Sequence, residues 1–117
     1  MNELPLINRM VSNVLWNHNC FSFKIEILKD NPNPDELKKN IVYVVVGGDR
    51  TKWAYLRCPC GCNDIIMLSL DRKLNPSWSV KQDKFGRASI FPSINKLAGC
   101  RSHFWIKKGK LKWVLFF

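Results

Sequence analysis

Apolar and polar residues alternate in several short runs along the 117-residue chain, and Gly, Pro, Asn or Asp bounds each run. This is the pattern of half-buried β-strands joined by tight turns. Residues 21–28, Phe-Ser-Phe-Lys-Ile-Glu-Ile-Leu, alternate over eight positions and predict a strand. Asn31 to Asp35 predicts a loop, because each Pro fixes its own φ and biases its predecessor away from helix. Ile-Val-Tyr-Val-Val-Val at 41–46 is a buried β-type run. The turn chemistry of 47–50 and renewed alternation over 51–57 make 41–57 a hairpin. Residues 65–70 predict the next strand. After the break at Asn75-Pro76-Ser77, strands at 78–82 and 87–91 flank a turn at 83–86, giving a second hairpin. Residues 92–99 have room for two helical turns, so a short helix is expected near 93–98 with Gly99 as its C-terminal cap. Residues 103–108 and 111–117 form a third hairpin around Gly109, and the apolar ending predicts a buried last strand. Residues 4–18 fit a short helix or an irregular arm.

The expected fold is therefore mainly β (small α+β), with antiparallel hairpins and one short helix. The length suits a single domain over 1–117, with a possible N-terminal arm at 1–20 and a β core over 41–117. A chain of this size buries roughly two-thirds of its unfolded surface, a small core that a structural metal would reinforce.

Composition adds to this picture. Seven Phe, five Trp and a 46% hydrophobic content belong to a folded chain. No run approaches the ~20 apolar residues of a membrane span, and the N-terminus lacks the basic flank and apolar run of a signal peptide. A cytoplasmic protein is expected, in which cysteines serve metal or catalysis rather than disulfides.

The net charge of +10 is uneven. Residues 1–57 hold eight Lys/Arg against six Asp/Glu, whereas residues 58–117 hold eleven against three, so the two balances are +2 and +8. The basic half favours an acidic partner: nucleic acid, an acidic protein or anionic lipid. Lys81, Lys84, Arg87, Arg101, Lys107, Lys108 and Lys110 are candidate partner contacts. Trp78, Phe85, Phe104, Trp105 and Trp113, interleaved with them, are able to stack on bases. The plainer reading is a solvated face with some of these aromatics in the core. No recognised DNA-binding motif spacing occurs.

Four of the five cysteines and one of the two histidines fall in two windows. These are Cys-Pro-Cys-Gly-Cys at 58–62 and Cys-Arg-Ser-His-Phe-Trp at 100–105. Pro59 and Gly61 make a tight turn whose amides suit thiolates, and Cys100 with His103 has the spacing of a second ligand pair. Close pairs from two distant turns are what tetrahedral Zn²⁺ requires, and thiolates with an imidazole favour zinc over calcium or magnesium. Cys58, Cys60, Cys62, Cys100 and His103 are five candidates for four positions. Either His103 joins some of the cysteines, or all four cysteines bind and His103 is left out. Such a supply of ligands argues for a closed, structural Zn²⁺ site rather than an open catalytic one, and no His-Glu-x-x-His helix occurs. Cys20 and His18 are isolated and fit core packing.

Cys-Pro-Cys-Gly-Cys, then Pro-Ser-Ile, then Cys-Arg-Ser-His-Phe-Trp-Ile and a closing basic hairpin ending in Lys-Trp together resemble a bacterial family, domain of unknown function 6527. The likeness covers roughly residues 40–114, including Ile-Val-Tyr-Val-Val-Val and Lys-Trp-Ala-Tyr-Leu-Arg upstream of the first cysteine. The chain differs from that pattern at Asn63 and over 94–99. The resemblance implies a place in bacterial ubiquitin-like conjugation, alongside a ubiquitin-like protein and its E1-like, E2-like and JAB-type enzymes, with a peptidase or deconjugase role.

The parts available for such an enzyme are Ser93, Ser102 and His103. A serine nucleophile needs a base within hydrogen-bond reach and a group behind it. Ser102 and His103, adjacent in one strand, would point to opposite faces, so Ser93 is the more natural partner. Ser93 also suits a helix cap, and Ser102 suits a hydrogen bond to a thiolate. Asp64 either orients His103 or is a solvated turn residue. The expected function is a zinc-stabilised serine-type protease or deconjugase acting on a ubiquitin-like protein. The alternative is a non-enzymatic zinc module for nucleic acid or an acidic protein.

Overall fold

The computed structural model describes residues 22–48 and 50–114. The predicted arm at 4–18, His18, Cys20 and the final residues 115–117 lie outside them. Eight strands occur among the described residues: β1 (Lys24–Leu28), β2 (Ile41–Gly47), β3 (Arg50–Arg57), β4 (Ile65–Ser69), β5 (Ser79–Gln82), β6 (Ala88–Asn95), β7 (His103–Lys107) and β8 (Lys110–Trp113). They build two four-stranded sheets, ordered β1-β2-β3-β4 and β5-β6-β7-β8. The mainly β class is as expected, and the hairpins at 41–57, 79–95 and 103–113 are antiparallel. One pairing is of another kind. β1 lies parallel to β2, Lys24 opposite Ile41, because residues 29–40 carry the chain back along the sheet, through a single 3-10 turn at Pro34–Glu36.

The short helix expected near 93–98 is not formed. β6 continues as strand to Asn95, and Ile94 sits opposite Phe104 of β7. Six residues cannot nucleate a helix unaided, whereas the strand buries Ile94 beside Ile90 and Phe104. Leu97, which a helix would have turned inward, is 82% exposed.

The alternation read from the sequence is what fills the core. Val42, Val44, Ala54, Leu56, Ile66 and Leu68 from the first sheet meet Ala88, Ile90, Ile94, Phe104, Ile106 and Leu111 from the second in one cluster, joined by Phe23 and Cys58. A ring of three backbone hydrogen bonds at one corner joins Phe23, just before β1, to two residues of the second sheet. The N–H of Phe23 donates to the carbonyl of Gly109 (2.8 Å), that of Gly109 to Ala88 (2.7 Å), and that of Ala88 to Phe23 (2.9 Å). Lys108 and Gly109 form the two-residue β7–β8 turn with φ of 50° and 79°, the double left-handed geometry that matches strand twist. A Cβ on Gly109 would press on Phe23 O and Arg87 Cβ at 3.2 and 3.3 Å, so glycine alone fits both the turn and the corner.

Candidate active site and metal centre

Two loops, one from each sheet, face each other. The β3–β4 loop is closed by the N–H of Cys58 donating to the carbonyl of Asp64, and the β6–β7 loop by the N–H of Lys96 donating to that of Ser102, both at 2.8 Å. Each loop spans the same number of residues, and each turns left-handed at its fourth and sixth positions. These are Gly61 (φ 93°) and Asn63 (68°) in one, Gly99 (70°) and Arg101 (54°) in the other. Cys62 and Cys100 therefore occupy equivalent places, each between two left-handed residues.

The four sulfurs of Cys58, Cys60, Cys62 and Cys100 all lie within 4.8 Å of one another. Cys58 Sγ is 3.5 Å from Cys60 Sγ and 3.6 Å from Cys100 Sγ. A tetrahedral zinc with Zn–S bonds of about 2.3 Å needs sulfurs about 3.8 Å apart, so the donor set fits such an ion. The Cys62 N–H donates to Cys60 Sγ at 3.3 Å, and Ser102 Oγ lies 3.0 Å from Cys100 Sγ and 3.8 Å from Cys58 Sγ. Burial pushes the Cys58 thiol up to about 12, whereas the Ser102 hydroxyl draws Cys100 down to about 6. The cluster is thus a mixture of a reluctant and a ready thiolate, which a dication would draw into one charge state.

Asp64 and Lys96 form an ion pair at 2.5 Å that links the ends of the two loops. Hydrogen bonding from Lys96 holds the Asp64 carboxyl below the usual carboxylate range. The carboxylate is thereby engaged with Lys96.

His103 lies outside the cluster of four sulfurs. Its Nε2 lies 2.9 Å from Ser93 Oγ. The two meet diagonally across the β6–β7 ladder, in which Asn95 is the direct partner of His103. Because successive strand residues point to opposite faces, Ser102 turns in to the sulfurs and His103 turns out to Ser93. A bulge assists this meeting. The pairs Ile90–Ile106 and Ile94–Phe104 are four residues apart on β6 but two apart on β7, so Phe91-Pro92-Ser93 stands opposite Trp105 alone and bows outward. The Trp78 indole donates to the Ser93 carbonyl at 3.2 Å, fixing the backbone behind the hydroxyl. Beside the pair lies an open groove of about 400 Å³ lined by Arg72, Ser77, Trp78, Ser79, Phe91, Pro92 and Trp105.

The basic residues named as partner contacts are spread over several strands and loops of the second sheet. Lys81 and Lys107 lie on the outer face of the second sheet, with ammonium groups 6.0 Å from the Phe91 ring and 4.5 Å from the Trp105 ring. Lys84 and Arg87 crowd Phe85 at the β5–β6 turn. Arg101 sits in the β6–β7 loop, Lys108 in the β7–β8 turn and Lys110 on β8. Among the aromatics, Phe104 is fully buried and packs edge-on against Trp113. Arg72 lines the groove from a loop, and no periodicity in the sequence marks it.

Among the described residues no helix is long and apolar enough to cross a membrane. A family model described as "Bacterial ubiquitination-like system serine protease (BubE)" matches residues 29–114, a span that contains all four clustered cysteines, both serines and His103. No curated protein and no solved structure matches the chain.

Proposed function

We propose, on the premise that the chain belongs to the bacterial ubiquitination-like system serine protease family, that it is a serine-type peptidase or deconjugase cutting after the C-terminus of a ubiquitin-like protein. The observation that carries this reading is the 2.9 Å approach of Ser93 Oγ to His103 Nε2. Ser93 is the nucleophile and His103 its general base. With the ring proton on Nδ1, Nε2 accepts the hydroxyl proton as Oγ attacks the scissile carbonyl. It then delivers that proton to the departing amine or hydroxyl, leaving an acyl-enzyme that water hydrolyses by the same proton path. Cys58, Cys60, Cys62 and Cys100 hold a structural Zn²⁺, which supplies no chemistry to the bond and ties together the loops that deliver Ser102 and His103. The partners are the ubiquitin-like protein and its E1- and E2-like enzymes, and the unpaired thiols fit a reducing cytoplasm.

The test is cleavage of a ubiquitin-like protein carrying a short C-terminal extension. Ser93→Ala and His103→Ala should each lower kcat/KM by at least ~10³-fold with the melting temperature little changed. Ser102→Ala should keep most of the activity. Undiminished cleavage by both Ser93→Ala and His103→Ala overturns the serine mechanism.

A further inference from the structure

The outer face of the second sheet surrounds the Ser93–His103 pair with positive charge. From Lys84 to the end of the sequence there are eight Lys/Arg and no Asp or Glu. Two of the eight are neutralised, Arg87 by Asp83 and Lys96 by Asp64. Strand alternation decides which of the others, together with Lys81 just upstream, share a face with the serine. Val80 packs on the core, so Lys81 points outward over Phe91. In the β7–β8 ladder Trp105 stands opposite Lys112 and Lys107 opposite Lys110, which places all four on the same side. Lys81, Lys107 and Lys112 are exposed, and among the described residues none of them has a carboxylate partner.

We infer that this face, with Lys81, Lys107 and Lys112 around Phe91 and Trp105, is a docking surface for the folded body of an acidic protein substrate, whose tail then reaches Ser93. The inference rests on the proposed peptidase reading and names the partner of that same site. Charge complementarity carries it: a face of one sign, continuous with the groove, selects a partner of the other sign. The aromatics add apolar area where the partner's backbone leaves its own fold, and the groove beside Ser93, with Arg72 on its wall, takes the extended segment. Nucleic acid is the other polyanion such a face attracts. It is disfavoured because Phe91 and Trp105 carry their own lysines over their rings, which leaves less ring face for bases.

The experiment measures binding of the Ser93→Ala protein to the ubiquitin-like protein of the same conjugation system, so that docking is read whether or not cleavage occurs. Lys81→Glu/Lys107→Glu/Lys112→Glu on that background should weaken binding about tenfold at low salt, and the difference should shrink as salt rises. The milder triple alanine variant should fall between, and circular dichroism melts confirm that both are folded. On the Ser93-containing protein, the ratio of kcat/KM for the folded substrate to that for a short peptide spanning the same bond should drop by a similar factor. Unchanged binding by both triple variants overturns the inference. So does tighter binding of duplex DNA than of the folded protein at equal salt, which would assign the face to nucleic acid. If the substrate binds as expected but is never cleaved, docking stands and the peptidase reading falls.

Discussion

Ser102 and His103 are adjacent in the sequence and serve opposite sides of a sheet. One hydroxyl sits against two sulfurs, and one imidazole faces a serine from the neighbouring strand. Ser102 is buried, and its loss leaves Cys100 without a hydrogen bond that stabilises its thiolate. Ser102→Ala should therefore cost about 1–2 kcal/mol of stability and loosen zinc by roughly 10- to 100-fold, read by chelator competition and a thermal melt. The sequence names all the participating groups, since Cys, Ser and His in two short windows leave few others. It does not say which serine meets the ring. That depends on the two extra residues of β6 opposite Trp105, and a bulge has no period for alternation to reveal.

At the scale of elements, the hairpins are legible because each has turn residues between two alternating runs. The β5–β6 turn shows the local chemistry. Asp83 Oδ1 accepts from the N–H groups of Phe85 and Arg87, both at 2.9 Å, and Oδ2 accepts from Arg87 Nε at 2.6 Å. Desolvation raises the Asp83 carboxyl, but the hydrogen bonds and charge of Arg87 outweigh it, so the net position is below the ordinary value. A carboxylate with a depressed pKa adds stability that is present above the unfolded value near 4 and is lost as pH falls through the lower folded value. The difference in melting temperature between the natural protein and Asp83→Ala should accordingly hold from pH 7 to about 5, then narrow on acidification. A difference that grows on acidification would contradict the assignment. The misread segment is 93–98. Room for two turns and a glycine suited to a C-terminal cap point to a helix as readily as to a strand, and only the pairing of Ile94 with Phe104 of β7 distinguishes them.

For the whole molecule, the equivalence of the two cysteine loops matters most. Each sheet contributes one, so an ion at the four sulfurs cross-links the first sheet at 58–62 to the second at 100. Zinc should be retained at one per chain by native mass spectrometry. Stripping it, or introducing Cys100→Ala, should lower the melting temperature by roughly 10 °C or more. An unchanged melt in strong chelator would remove the structural role. That both sheets share one core was foreshadowed by the apolar alternation on every strand. The parallel entry of β1 was not, because a loop's composition does not record where it delivers the chain.

The absence of any side-chain carboxylate after Asp83 has a consequence for titration. Lysine and arginine keep their charge through the acid and neutral range. The face around Ser93 therefore stays positive when the solution is acidified. If docking on that face weakens at low pH, the protons responsible are being taken up by the partner, and the midpoint of the loss reports the partner's own acidic groups.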